Sequence, residues 1–435
     1  MSESVGECME REFEGKVLLI LGGNPETTPL VEVANSMGVK TIVTSGRHTD
    51  AAKKAAWKSY DVDGMNVDGI VELAKSEKVD GVLVGVADIL VPSYCKVCEI
   101  LKLPCYATQK IVDVFSYKDV FKATCEKYGV HGIPEYKLDA GLKREDLDKI
   151  EYPVMVKPVD NGGGVGMTVA YNEAELVEGV KKALEASNKK RFIVEKYMQC
   201  DDVGIYYTFK DGVCSASCIY DRYTTDKQRG MSRVNMCSVY PSAHIDDYYK
   251  NMHLNALQMF KEIDIQNGVL LLSGFYDNGE FYMYDPGFRL QGEAPHILIK
   301  AINGYDQRES LVRFALTGSQ GEYSLEEIDD IKFKNKYAAT LWILLNEGKI
   351  KEINGLTEIE NDKRVVANVQ RLYVGDEVYN EWIGTEKQVL TRIYIVCDSK
   401  EELLSCIDEF QEKIKVLSEN ALSLVLGGVD TNKIK

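Results

Sequence analysis

No apolar run in the 435-residue chain approaches the roughly 20 residues a helix needs to span a bilayer. The opening stretch, MSESVGECMEREFEGK, lacks the basic-then-apolar order of a secretory signal. A cytoplasmic protein with no membrane partner is therefore expected. Positive charge is in deficit: 52 Lys and Arg face 68 Asp and Glu, a net charge of −16. That balance argues against nucleic acid as a partner, because phosphate backbones demand a basic surface. Low-complexity tracts, heptads and fixed-period repeats are missing. The eleven cysteines are an odd number scattered through apolar segments, as expected of reduced thiols. Cys95, Cys98 and Cys105 cluster, but no histidine lies near them, so ordinary helix-face cysteines are a better reading than a metal or redox site.

What is present centres on residues 152–169, YPVMVKPVDNGGGVGMTV. An apolar strand carrying one lysine, Lys157, runs into Gly162-Gly163-Gly164-Val165-Gly166 and out through a second β-prone run. Glycines so dense cannot stabilise a strand or helix, but they let several backbone N–H groups approach an anion. The lysine supplies a fixed charge for the same anion. A flexible hairpin tip with an edge lysine is the plainer alternative. A phosphate loop of the Walker kind joins a strand to a helix and ends in Gly-Lys-Ser/Thr, and the dinucleotide fingerprint also needs a helix directly after it. Here the glycines lie between two strands, which reads as a lid over a triphosphate.

In chain order, 16–21 (KVLLIL), 40–44 and 80–86 read as apolar strands alternating with helices, the pattern of a parallel, doubly wound sheet. A short strand is expected at 104–107, an amphipathic helix with Lys118 in its first turn at 117–128, and a helix at 172–186. A strand at 191–197 carries Glu195. Hairpins follow at 204–220 and 268–284, with one helix at 247–263 between them. Residues 221–239 read as an irregular basic loop (Arg222, Lys227, Arg229, Arg233), either solvated or an anion-contacting flap. From about 332 a small α+β appendage is expected. The fold class is α/β and α+β: a Rossmann-like domain over 1–114, a small lobe over 115–202, a large lobe over 203–330 and a C-terminal α+β domain over 331–435.

The ordered set Lys118, Lys157 with its glycines, Glu195, Asp202, Asp285 and Arg289 resembles the ATP-grasp superfamily of ligases, closest in architecture to biotin carboxylase and carbamoyl-phosphate-synthetase-like members. Residues 194–198 (VEKYM) look like that family's adenine hinge, and 276–291 (YDNGEFYMYDPGFRLQ) like its metal-and-substrate strands. The resemblance implies ATP and Mg²⁺ as cofactors, a two-lobed ATP-grasp core, a homodimer, and small carboxylic acid and amine substrates joined through an acyl-phosphate. It implies that Lys118, Lys157 and the backbone of Gly162, Gly163 and Gly164 hold phosphates. Glu195 with Lys196, Tyr197 and Met198 would hold adenine, Asp202 the ribose, and Asp285 Mg²⁺. Arg289, with Arg222 and Glu293, would face the substrate, and Arg289 and Lys157 would be catalytic. Such chemistry is mainly positioning and charge neutralisation. The family pattern is broken at two places, however. Two carboxylates and an asparagine normally hold two Mg²⁺ ions, whereas the first carboxylate's place falls at Ser273 and the asparagine's at Gly287. Gln291 and Glu293, following Arg289, keep open a bicarbonate-phosphorylating enzyme, although no biotinyl-lysine motif is present. Ser273 and Gly287 also keep open a nucleotide-binding pseudoenzyme.

Overall fold

Strand Val17–Leu21 is buried along nearly its whole length, because its continuous apolar run is covered on both faces, as parallel sheets require. The computed structural model, which describes residues 12–160, 165–226 and 233–435, places it inside a four-stranded parallel sheet. The order is Lys58–Tyr60, Lys40–Thr44, Val17–Leu21, Gly81–Val84. Helices Thr28–Ser36 and Val67–Glu77 connect these strands, and Val91–Leu101 follows the last of them. Helix Gln307–Thr317, from far along the chain, closes onto the same sheet. Gly81 makes that approach possible: a Cβ there would lie 2.4 Å from the Ala315 carbonyl oxygen. Residues 104–107 do not form a strand. The Tyr106 amide donates to Tyr94 Oη at 3.2 Å instead of to a neighbouring strand.

The small lobe is an antiparallel sheet ordered Glu135–Tyr136, Phe192–Lys196, Val154–Pro158, Thr168–Ala170. Helix Glu173–Ala186, capped by Asn172, covers it. Val154, Val156, Leu176, Val180 and Val194 form its separate core.

An eight-stranded antiparallel sheet makes the large lobe. Its first five strands are Glu280–Gly287, Gly268–Asp277, Asp201–Lys210, Val213–Thr224 and Asn235–Tyr240. Tyr337–Leu344, Val389–Cys397 and Val365–Gln370 complete it. The C-terminal strands thus continue the central sheet, since Tyr337–Leu344, buried along nearly its whole length, pairs with Asn235–Tyr240. The stretch expected as an irregular basic loop is strand at both ends. Its charges are absorbed by partners: Asp221 accepts from Ser242 Oγ at 2.5 Å and the Ala243 amide at 2.9 Å, and Arg222 pairs with Asp202. Lys227 and Arg229 lie outside the described residues. The helix expected at 247–263 is two, Ile245–Asn251 and His253–Ile263, broken at Met252.

Strand Glu280–Gly287 is an edge of the large sheet. Its exposed side meets the small lobe at a parallel bridge between Met283 and Gly132, where Met283 N donates to His131 O at 2.8 Å. Among the described residues, no helix is long and apolar enough to cross a membrane.

Candidate active site between the two lobes

Lys157 leaves the small-lobe sheet opposite Ile193, and Glu195 stands two residues further along that partner strand. Strand alternation puts both side chains on one face. Lys157 Nζ lies 2.6 Å from Glu195 Oε2, and Lys122 Nζ lies 2.9 Å from the other oxygen, Oε1. Lys122 also reaches Glu135 Oε2 at 3.0 Å. Lys157, Glu195 and Lys122 are all buried. Burial pushes the Glu195 carboxyl up, but the charges and hydrogen bonds of Lys157 and Lys122 outweigh it and hold the carboxyl below its ordinary value. Sequence reasoning missed Lys122. The one available signal was its spacing, one helical turn after Lys118. Gly132 makes room for it: a Cβ at that position would meet Lys122 Cγ at 2.9 Å.

Lys118, on the same helix, crosses the crevice. Its Nζ lies 2.8 Å from Asp285 Oδ1 on the edge strand of the large lobe. Lys157 Nζ lies 5.7 Å from the ring centroid of Tyr284. Two lysines from different small-lobe elements therefore converge on consecutive residues of one large-lobe strand.

Arg222 and Asp202 form a second buried group. Arg222 Nη1 donates to Asp202 Oδ1 at 3.1 Å, and Nη2 donates to Tyr220 Oη at 3.0 Å. Both terminal nitrogens reach Ser273 Oγ, at 3.4 and 3.3 Å, and Nη2 lies 3.4 Å from Glu293 Oε1. Arg222 Nε is buried and has no acceptor among the described residues. Burial raises the Asp202 carboxyl, only partly opposed by Arg222 and Arg233. Asp202, expected against a ribose, is therefore committed to this guanidinium. Asp202, Arg222 and Arg233 line a cavity of about 490 Å³, which Ile383, Leu426 and Lys435 close from the C-terminal part of the chain.

Arg289 does not pair with Asp285. It reaches Asp88, from the turn after strand Gly81–Val84, and its Nη1 donates to Leu290 O at 2.8 Å and Gln291 Oε1 at 3.1 Å. Asp88, 201 positions away in sequence, carries no local signal that ties it to Arg289. Glu293 accepts from Tyr220 Oη at 3.3 Å. Its backbone is fixed from the C-terminal strands: Tyr394 Oη donates to Glu293 O at 3.0 Å, and Arg392 holds the Gly292 carbonyl.

In the hinge, Lys196 is exposed, Tyr197 half-buried and Met198 buried. The Lys196 amide donates to Pro134 O at 2.9 Å and that of Tyr197 to Pro153 O at 3.2 Å. Those two amides are thus bonded within the small lobe. Gly162, Gly163 and Gly164 lie outside the described residues. Cys95 and Cys105 are thiols rather than thiolates: the bond to Cys105 and burial push Cys95 up, and although the bond with Cys95 lowers Cys105, the bond with Cys98 and burial outweigh it and lift Cys105 to about 12.

The donors do not fit a pair of Mg²⁺ ions. Ser273 sits directly opposite Asp285 in register, so one of two facing carboxylates is a hydroxyl. At Gly287 a Cβ would lie 2.7 Å from Gln291 Nε2 and 3.2 Å from Asp88 Oδ1, so a larger residue there would have to move the ends of those two side chains. Asp277 and Glu280 pair with each other at the hairpin turn, away from Asp285. Among the described residues, no group of three His, Cys, Asp or Glu side chains is arranged to hold a metal.

Residues 118–322 match the family model described as the carbamoyl-phosphate synthase L chain, ATP binding domain. The carbamoyl phosphate synthase large chain of Clostridium beijerinckii is 21% identical over 280 residues, covering 61% of this chain and 25% of that protein. The chain spans between 25% and 58% of the length of the first curated relatives it matches. Among solved structures, an L-amino acid ligase from Bacillus licheniformis superposes with a TM-score of 0.76 at 17% identity, covering 94% of this chain and all of that one. The biotin carboxylase domain of the Hydrogenobacter thermophilus 2-oxoglutarate carboxylase, in complex with MgADP, ADP and bicarbonate, gives 0.74 at 17% identity, covering 94% and 91%.

Proposed function

We propose, from the premise that residues 118–322 form an ATP-grasp ATP-binding domain, that the chain is an ATP-dependent ligase joining a carboxylate to an amine through an acyl-phosphate. The observation that carries this is the convergence of Lys118 on Asp285 and of Lys157 over Tyr284. It sets two fixed positive charges in one crevice, where a triphosphate would need them. Lysine ammonium groups act there as point charges on phosphate oxygens. Glu195 holds both Lys157 and Lys122 in position through ion pairs. A single Mg²⁺ entering with the nucleotide would find Asp285 at the crevice, and there it would neutralise phosphate charge.

Arg289, braced by Asp88 and Gln291, would grip the acceptor acid, because a guanidinium fork matches a carboxylate. Glu293, beside Arg222, is the carboxylate placed to take a proton from the incoming amine. Arg289, Gln291 and Glu293 lie together, which favours bicarbonate as the alternative acid. A screen for ADP release across small carboxylic acids and amines, bicarbonate included, tests the reading, with Lys157→Ala as the control. ADP release that needs both an acid and an amine supports the ligase, and release with bicarbonate alone supports the alternative. Nucleotide binding without turnover under every combination would leave only the pseudoenzyme.

A further inference from the structure

We infer that the Arg222 guanidinium is a resident cation standing where a two-ion ATP-grasp site would hold its second Mg²⁺, so that the chain takes one divalent ion per nucleotide. This deepens the nucleotide reading above and rests on it. Ser273, opposite Asp285, is the position where a second carboxylate is missing, and a neutral hydroxyl is a poor substitute in a Mg²⁺ site. Both terminal nitrogens of Arg222 converge on that hydroxyl. They also take Asp202 and approach Glu293, the carboxylates nearest at hand for a metal. Substitution of carboxylate by serine and insertion of a guanidinium are thus one coupled change in charge: an anion is removed where a cation has moved in.

The guanidinium is held rigidly. Its carbon lies 5.1 Å from the Tyr220 ring centroid. Tyr220 lies flat only because residue 204 is glycine, where a Cβ would meet Tyr220 Cζ at 2.3 Å. The Arg222 side chain is 8% exposed, yet among the described residues its Nε–H has no acceptor. A buried donor left unmade is costly, and an oxygen of the transferring phosphoryl group would satisfy it. Arginine stays charged at any working pH and can bridge two oxygens without an octahedral shell. Arg222 thereby becomes a positioning charge for the phosphoryl group rather than a surface contact for the acid.

The test uses the full chain with a non-hydrolysable ATP analogue and Mn²⁺ as the probe, counting bound ions by electron paramagnetic resonance. One Mn²⁺ per bound nucleotide is expected, and two overturns the assignment while leaving the nucleotide reading intact. No nucleotide binding removes both. In the double variant Arg222→Ser with Ser273→Glu, a count of two is expected. A count still at one, in a variant that melts cooperatively and binds the analogue, overturns the assignment. Should that variant fail to fold, the count in the unaltered chain decides alone.

Discussion

On the small-lobe side of the crevice one carboxylate, Glu195, is held between two lysines; on the large-lobe side one guanidinium, Arg222, sits among two carboxylates and two hydroxyls. The first cluster keeps its carboxylate ionised between two lysines, one of which also reaches Glu135. The second has surplus negative charge, and burial lifts one of its carboxyls. A polyanionic ligand entering between them would be drawn to the lysines, with the guanidinium as the counterweight on the opposite wall. Burial alone therefore does not decide how an acidic side chain behaves; the sign and number of its partners do.

The sharpest way to break the comparison is at Lys157. Lys157→Ala should abolish measurable nucleotide binding in calorimetry while the chain still unfolds cooperatively. It should also cost about 3–5 kcal/mol of stability, since it leaves a buried carboxylate short of one partner. Unchanged affinity and turnover would remove the nucleotide assignment. Next in size, Arg289→Ala should raise KM for the acid by about 10–100-fold, the worth of hydrogen bonds to a charged group, with KM for ATP far less affected. Steady-state kinetics with both substrates varied would expose an equal effect on the two, which would count against a clamp on the acid.

The two clusters should also respond to pH with opposite sign. The native Glu195 carboxyl lies below its ordinary value. Its contribution to stability is therefore complete above about pH 4.3 and is lost as pH falls through the lowered native value. Asp202 is raised, so its contribution is present below about pH 3.9 and lost as pH rises through the raised native value. In urea titrations the penalty of Glu195→Gln should shrink on acidification, and that of Asp202→Asn should shrink on going to neutral pH. Penalties that move together would show that the clusters do not differ as described. The smallest effect is expected from Ser273→Ala, about 1 kcal/mol for one lost hydrogen bond, visible as a shifted urea midpoint with an unchanged slope.

Legibility in the sequence followed the same divide. Lys157 stood out because it was the single charge in an apolar strand, and a buried lysine needs a reason. The parallel sheet and the hairpins were legible from period and turn residues. Lys122 was hidden, because a lysine on an amphipathic helix looks solvated until the partner strand is placed. Arg222 was named as substrate-facing, but its strand and its partners were hidden: the charges at 221–239 gave no strand signal, and the partners that absorb them come from residues 202, 220, 242 and 273. The pairing of Arg289 with Asp88 belongs to tertiary structure alone. The continuation of the central sheet into the C-terminal strands was likewise invisible, because a strand's own pattern does not name its neighbour.

The backbone hydrogen bond from Met283 to His131 turns one amide into a gauge of lobe separation. A proton on that nitrogen can be traded with solvent only when the lobes part, whereas amides inside either sheet are guarded by a full ladder. Its deuterium uptake, followed with and without nucleotide, would report how often the crevice gapes and how firmly a ligand shuts it.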